Sequence, residues 1–214
     1  MLSPLRQTDH APTATGPFGF TGPCLRHARD EEIFSEGDSA DYIYQVISGS
    51  VRTCRLLRDG RRQIDEFHLA GDYFGIEAGD LHRVTAEAMA DTTVRMVRRG
   101  ALSDLAAQRA DVARALFRLT AEGLQRSQDH VLMLGRKSAR ERVVGLLVDL
   151  AERTGAQSEL DVPMSRQDMA DYLGLTIETV SRTLTQLQSD GVIALPTTRH
   201  IVLRDRAALR RLGD

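Results

Sequence analysis

Between residues 32 and 98, short apolar stretches alternate with turn signals about every ten residues. Most of these turns carry a glycine beside an acidic residue or a serine, as in Asp59-Gly60. Regularly spaced short strands of this kind are typical of a small antiparallel sandwich or barrel. Residues 51–57 and 62–69 flank Asp59-Gly60 and predict a β-hairpin with a type I′ turn. The pattern therefore predicts a compact β domain over residues 29–103.

The turn signals stop near residue 104, and a stripe with spacings of three and four begins, long enough for about seven helical turns. Its members are Val112, Leu116, Leu119, Gly123, Ser127, Val131 and Leu134. A helix this long, tethered to a small β domain, cannot bury the whole stripe within its own chain. We therefore predict that residues 104–135 form a dimerisation helix. The alternative is a helix packed wholly against its own β domain.

The last part of the chain, residues 136–214, carries the signals of a winged helix-turn-helix. Ser165, followed three residues later by Asp168, resembles a capping box and predicts a helix start. Gly174 is expected to end that helix, and Thr176 to cap the next one. Two short alternating strands then follow and predict a wing. The helical pair with a glycine turn meets the geometric demands of a DNA-binding motif.

The second helix of this motif would read base edges with its first turns. The predicted base contacts are Ile177, Glu178, Ser181 and Arg182. Arginine can donate two hydrogen bonds to guanine, and glutamate can accept one from the amine of cytosine. The alternative for a glutamate and an arginine four residues apart is an ordinary surface ion pair. Hydroxyl and basic side chains are predicted to contact phosphates: Ser165, Arg166, Thr176, Thr179, Thr185 and Arg199.

Composition narrows the class of protein further. A net charge of -2 over 214 residues is unusual for a nucleic-acid binder, so the positive charge must be arranged locally. Residues 1–28 hold four of the six prolines without hydrophobic periodicity and predict a flexible tail. The two cysteines, Cys24 in this tail and Cys54, fit a reducing cytoplasm. No apolar run approaches the ~20 residues that span a bilayer, so no membrane partner is expected.

The order of β domain, long helix and winged helix-turn-helix, with residues 178–182 reading ETVSR, resembles the superfamily of the cyclic-AMP receptor protein and FNR. Residues 74–80, His82-Arg83 and residues 85–88 resemble its FixK branch. The likeness covers about residues 30–212. It implies an α+β fold whose N-terminal domain is a double-stranded β-helix, or jelly roll, of the cyclic-nucleotide-binding type.

The resemblance also implies a function. It implies a homodimer that binds palindromic double-stranded DNA with TTGA-type half-sites. It further implies a regulator, most often an activator, that contacts RNA polymerase. The genes implied are those for microaerobic or anaerobic respiration or for nitrogen fixation.

A cyclic-nucleotide-responsive regulator is the first alternative. Relatives that bind such ligands hold the ribose with a glutamate and the phosphate with an arginine followed by serine or threonine. Gly75 is kept here, but Ile76 stands where the glutamate would be and Val84 follows Arg83. A desolvated nucleotide would lack polar partners in this pocket. We expect no bound cofactor.

Metal-dependent functions form the second group of alternatives. An iron-sulfur sensor needs four cysteine ligands, and the sequence has two cysteines. A jelly roll can also be a metal enzyme or, in haem-binding relatives, present a histidine. His68 and His82 are the candidates, but neither belongs to a His-x-His pair. We therefore expect no metal site and no enzymatic activity.

Overall fold

The computed structural model describes residues 22–213. The chain forms two compact units, and the division falls between Leu124 and Gln125. In the described part of the chain no helix is both long enough and apolar enough to cross a membrane. The predicted tail lies mostly in residues 1–21, which are outside the described residues.

The first unit is a β-sandwich followed by helices. Its strands are β1 (Cys24–His27), β2 (Glu32–Phe34), β3 (Tyr42–Ser48), β4 (Ser50–Leu56), β5 (Arg62–Leu69), β6 (Tyr73–Phe74), β7 (Thr85–Ala88) and β8 (Thr92–Arg98). They form two four-stranded sheets, in the orders β1-β8-β3-β6 and β2-β7-β4-β5, with antiparallel neighbours. Both sheets contribute side chains to one apolar core. The predicted jelly-roll domain is confirmed.

The tail prediction was wrong for its last residues. Strand β1 pairs along β8, with Cys24 opposite Arg95 and His27 opposite Thr92. A four-residue strand at a sheet edge leaves no detectable alternation in the sequence, but its backbone groups pair with those of β8. Cys24 therefore lies in a strand, and Cys54 is buried in β4, as expected of a small apolar side chain.

The hairpin of β4 and β5 is confirmed, but its turn is not of type I′. Gly60 has a positive φ of 84°, whereas among residues 22–213 the positive-φ residues other than glycine do not include Asp59. The Asp59 carboxylate accepts hydrogen bonds from the Arg61 backbone N–H (3.1 Å) and from Arg61 Nε (2.9 Å). Gly60 N–H donates to Leu57 O at 2.9 Å. This local bonding closes a longer loop that needs a positive φ at the glycine.

The predicted single helix from residue 104 is two helices in the structure. Helix α1 (Arg99–Gln108) ends at Arg109, which has extended φ and ψ of -127° and 108°, and α2 (Ala110–Arg136) follows. Leu102 and Val112 both pack into one cluster with Ile43 and Val97 of the sandwich. In one continuous helix, two residues ten apart would point about 80° away from each other. The break lets both side chains face the same sheet.

The second unit contains the end of α2 and the C-terminal motif. Its further elements are α3 (Ala139–Thr154), β9 (Glu159–Asp161), α4 (Arg166–Leu173), α5 (Ile177–Ser189), β10 (Ile193–Ala194), β11 (His200–Leu203) and α6 (Arg206–Gly213). Helix α3 begins with a capping box of Ser138 and Glu141 and supplies the central buried face. The wing is a three-stranded sheet in the order β10-β11-β9. The predicted hairpin of the wing is present, and β9 is an addition to it.

Candidate DNA interface

Helix α4 starts at the predicted capping box. Ser165 Oγ accepts a hydrogen bond from the Asp168 backbone N–H at 3.0 Å, and the Asp168 carboxylate accepts from the Ser165 N–H at 2.9 Å. The Ser165 hydroxyl also donates to this carboxylate at 2.7 Å. The helix ends at Gly174, whose φ of 61° is left-handed. Local hydrogen bonds therefore fix both ends of α4.

Helix α5 is held against α4 by an apolar face. Thr176 caps it by accepting a hydrogen bond from the Thr179 N–H at 3.2 Å. The buried faces of the two helices carry fully buried apolar side chains: Met169, Leu173, Val180, Leu184 and Leu187. Thr183 is partly buried, and its hydroxyl is satisfied because it donates to Thr179 O at 2.8 Å. This packing determines which face of α5 is free.

The free face of α5 carries the predicted base-reading residues. Glu178, Ser181 and Arg182 are exposed, and Ile177 keeps 38% of its surface exposed. The structure therefore brings all four to the N-terminal half of one exposed helix face. Their contact with bases stays a prediction.

Glu178 and Arg182 do not form an ion pair with each other. Within residues 22–213, Arg182 makes no ion pair, with Glu178 or with any other residue. The pKa of Glu178 is lowered by a hydrogen bond from its own backbone N–H and by the Thr176 hydroxyl. The carboxylate is thus ionised and fixed as an acceptor near the helix start. The predicted alternative, a surface ion pair, is wrong for this conformation.

Arg166 and Arg199 are the basic side chains among the predicted phosphate contacts. Arg166 is partly buried, and the loss of water lowers the pKa of its guanidinium. Its Nη1 lies 3.9 Å from the Met169 sulfur, and no carboxylate among the described residues pairs with it. Arg199 is partly exposed in the wing, where its carbonyl accepts from Val162 N–H at 2.8 Å. A partly desolvated guanidinium without a carboxylate is suited to an external anion.

The hydroxyl groups predicted to contact phosphates differ in availability. The Ser165 proton is already donated to Asp168, so Ser165 caps α4 and has no proton to donate to a phosphate. Thr185 donates to Ser181 O at 3.0 Å and must rotate before it can bind a phosphate. The hydroxyl oxygens of Thr176 and Thr179 lie 3.1 Å apart at the start of α5. Because the Thr176 hydroxyl donates to the Glu178 carboxylate, Thr179 is the donor between the two, and either hydroxyl must rotate before it can donate to a phosphate.

The predicted dimer stripe was assigned partly to the wrong face of α2. Val112 is 1% exposed, and Leu116 and Leu119 pack against the same intramolecular cluster. Leu134 is partly buried beside the turn, 3.5 Å from where a Cβ on Gly174 would lie. Spacings of three and four fit two neighbouring helix faces, and the sandwich covers one of them.

The exposed apolar face of α2 has a seven-residue repeat. Phe117, Leu124 and Val131 are 75%, 60% and 70% exposed, and Leu132 beside them is 58% exposed. Of the remaining predicted stripe residues, Ser127 is exposed and Gly123 is partly buried. A seven-residue repeat places side chains along one seam of a helix. Phe117 and Leu124 lie one position further along the chain than Leu116 and Gly123 of the predicted stripe, so they fit the same spacing on the neighbouring face.

The interior of the sandwich is filled by aromatic rings. Phe34 stacks on His82 with ring centroids 3.6 Å apart, and Phe74 lies 5.3 Å from Tyr44. Gly75 has a φ of 73°, and a Cβ on it would lie 3.0 to 3.3 Å from the rings of Tyr44, His82 and Phe34. His82 is 2% exposed, and His68 is 4% exposed with Nε2 3.3 Å from Thr53 Oγ1. Both histidines are core residues in this structure.

Comparison with known proteins identifies two domains. Residues 25–109 match the cyclic nucleotide-binding domain, and residues 141–212 match the Crp-like helix-turn-helix domain. The chain is 50% identical over 192 residues to the nitrogen fixation regulation protein FixK of Azorhizobium caulinodans, which covers 87% of this chain and 77% of the relative. It is 46% identical over 199 residues to the protein of the same description from Rhizobium meliloti, covering 92% and 91%.

The solved structures agree with these relatives. The structure of FixK2 from Bradyrhizobium japonicum superposes with a TM-score of 0.87 at 47% identity, and the match covers 91% of this chain and 98% of that one. A jelly-roll domain, a long helix and a winged helix-turn-helix with an open reading face define a DNA-binding transcription regulator. The chain belongs to the CRP/FNR superfamily, in its FixK-like branch. Membership of this family implies dimerisation as well as DNA binding.

Proposed function

We propose that the protein binds, as a homodimer, palindromic duplex DNA with TTGA-type half-sites. In this proposal Glu178, Ser181, Arg182 and Ile177 contact base edges from the major groove. The observation that carries it is that Glu178 and Arg182 are both exposed on the reading face of α5 and do not neutralise each other. An ionised acceptor and a free guanidinium one turn apart match adjacent cytosine and guanine edges.

Phosphate contacts would orient the reading helix. Arg166, Thr176, Thr179, Thr185 and Arg199 are proposed for this role, because Arg166 begins α4, the three threonines belong to α5 or cap it, and Arg199 lies in the wing. The partial burial of the Arg166 guanidinium supports its pairing with a phosphate. These contacts supply affinity that depends on salt, whereas the base contacts supply sequence preference.

The proposed dimer seam is the exposed face of α2. A second copy of the same chain would cover Phe117, Leu124 and Val131, with Ser127 allowing close approach. Three large apolar side chains at this exposure on one helix face favour burial against an identical seam. A two-fold axis would then relate two reading helices, and palindromic sites follow from that symmetry.

We place the protein in the cytoplasm as an activator without enzymatic activity that contacts RNA polymerase. Its similarity to the nitrogen fixation regulation proteins, and at 39% identity to the transcriptional activatory protein AadR of Rhodopseudomonas palustris, supports control of nitrogen-fixation or anaerobic-respiration genes. The ring-filled interior of the sandwich supports activity without a cyclic nucleotide.

Selection from a random duplex library tests the proposal. The purified full-length protein is mixed with the library at fixed salt, and the bound fragments are sequenced. We expect TTGA-type half-sites related by a dyad, with centres about one helical turn apart. Recovery of unrelated sequences, or of single half-sites without a dyad, would contradict the proposal.

A further inference from the structure

Arg142 of α3 binds three separate segments of the second unit. Its Nη2 donates to Leu134 O at 2.8 Å, its Nη1 to Leu173 O at 3.0 Å and its Nε to Lys137 O at 2.9 Å. Leu134 lies in the last turn of α2, and Leu173 is the last residue of α4. Carbonyls at these positions have no partner within their own helices. One guanidinium therefore satisfies the ends of two helices and carries the charge that helix C-termini favour.

His130 makes a second connection between α2 and α4. Its ring stacks on the ring of Tyr172, with centroids 4.0 Å apart and planes 20° from parallel. Its Nε2 lies 2.9 Å from Tyr172 O. Because a carbonyl can only accept, Nε2 carries the proton and donates it. His130 and Leu134 are four residues apart, so both connections use one face of α2.

The turn of the DNA-binding motif lies at this same place. A Cβ on Gly174 would lie 3.5 Å from Leu134 Cδ2 and 3.6 Å from Arg142 Nη1. The reading helix α5 begins three residues later, at Ile177. We name the set Arg142, His130, Leu134, Tyr172 and Leu173 the α2–α4 junction. It fixes the turn from which the reading helix starts.

We propose that Arg142 and His130 are positioning residues that hold the reading helix at one angle to the end of α2. Val131 and Leu132, which are exposed on α2, lie beside His130 in the sequence and in the same unit. A partner held on that seam would then present its own reading helix at a fixed distance. The inference rests on the proposed function, because it concerns the spacing between the two half-sites of the palindrome that the dimer is proposed to bind.

The spacing of the half-sites is the measurable consequence. One added base pair moves a half-site by about 3.4 Å and rotates it by about one tenth of a turn. A rigid junction cannot follow that change, whereas a loosened one can. We therefore expect wild type to prefer one spacing strongly. Arg142→Gln should lower that preference about ten-fold, because it removes charge-assisted bonds to both helices.

The experiment measures fluorescence anisotropy of the full-length protein on palindromes with the preferred spacer and with one base pair more or less. Arg136→Gln is the matched control, because Arg136 is an exposed arginine in the last turn of α2, the helix whose end Arg142 binds. It removes the same charge and should leave the ratio of affinities unchanged. His130→Phe keeps a ring on Tyr172 and loses the hydrogen bond, so it should lower the ratio by a smaller factor. Arg142→Lys should restore part of the ratio.

A second measurement needs no DNA. A spin-labelled amino acid replaces Gln188, an exposed residue of α5, and the distance between the two labels of the dimer is measured by double electron-electron resonance. We expect one narrow distance distribution in wild type and a broad one in Arg142→Gln. If wild type shows no sequence preference, the proposed function fails while this distance still tests the junction. Unchanged spacing preference together with a narrow distribution in both Arg142→Gln and His130→Phe would overturn the inference.

Discussion

At the scale of single residues, the position of Arg182, whose side chain has no partner among the described residues, predicts its function. It is exposed on the first turns of α5, and no carboxylate in the described part of the chain binds it. A free guanidinium on such a face can form a bidentate pair with guanine. Its removal should therefore affect one base position more than the overall affinity.

We expect Arg182→Ala to cost about 1 to 3 kcal/mol per half-site and to relax the preference for one guanine. Fluorescence anisotropy at constant salt, on the selected palindrome and on palindromes changed at each position, measures both effects. Arg58→Ala in the hairpin of the first unit is the control for the loss of one charge. Equal losses on all sequences would assign Arg182 to a phosphate and not to a base.

The pKa values of two histidines, His82 and His200, should be shifted in opposite directions from the ordinary value. Burial lowers the pKa of His82, against the smaller opposing effects of Glu77 and Asp38, while a hydrogen bond to Asp161 at 2.7 Å raises the pKa of His200. For His82, the unfolded chain binds a proton before the folded one does, so its contribution to stability falls as pH drops below about 6.5. For His200 the contribution is present below about 6.5 and is lost as pH rises through the raised pKa.

Nuclear magnetic resonance titration of the imidazole protons checks this prediction. We expect a midpoint below the ordinary histidine value for His82 and above it for His200. Asp161→Asn should return His200 toward the ordinary value and leave His82 unchanged. A His82 midpoint at or above the ordinary value would contradict its burial among the rings.

At the scale of elements, α4 depends on its capping box. Ser165→Ala removes the acceptor for the Asp168 N–H and one donor to a carboxylate that is 4% exposed. We expect a loss of about 1 kcal/mol in the free energy of unfolding, within the ~0.5 to 2 kcal/mol range for lost N-caps. Urea unfolding followed by circular dichroism measures it. Ser189→Ala, at the exposed end of α5, should change the stability by less than about 0.5 kcal/mol.

The elements that could be predicted from the sequence are those whose ends are determined by residues close to them in the chain. Ser165, Gly174 and Thr176 form caps and turns with residues at most four positions away, so α4 and α5 were predicted closely. The break at Arg109 could not be predicted in this way. It depends on Leu102 and Val112 reaching side chains of distant strands, and no short pattern encodes that contact.

The residues of the candidate site also fall into two groups: those that local periodicity predicts and those that depend on contacts distant in the chain. The exposed face of α5 follows from helical periodicity, so the sequence alone predicts that Glu178, Ser181 and Arg182 lie on it. Arg142 was missed because its three partners are backbone carbonyls, which every residue possesses. The sequence alone does not choose between the two faces of α2, because both have spacings of three and four and the choice depends on which face the sandwich covers.

At the scale of the whole molecule, the exposed seam of α2 should decide the oligomeric state. Leu124→Glu places two like charges at the centre of the proposed dimer seam. Like charges that face each other across an interface cost several kcal/mol, so the dimer dissociation constant should rise by at least about 100-fold. Light scattering across a concentration series measures it, and binding to the palindrome should be lost in parallel.

Leu81→Glu is the matched control for the seam, because Leu81 is 55% exposed and Leu124 is 60% exposed. The control introduces the same charge into the first unit and should leave the dimer intact. A Leu124→Glu protein that remains dimeric would place the second copy on a different surface.

The continuity of α2 across residues 110–136 limits how this chain can change in length. Each residue inserted after Leu124 would turn Val131 by about 100° around the helix axis relative to Phe117. A single insertion would split the seam into two half-seams that no one neighbour could cover, although every side chain would still be present. Seven inserted residues would bring the two halves back to within about 20°. We therefore expect α2 to keep a continuous seam only when an insertion adds nearly a whole number of helical turns.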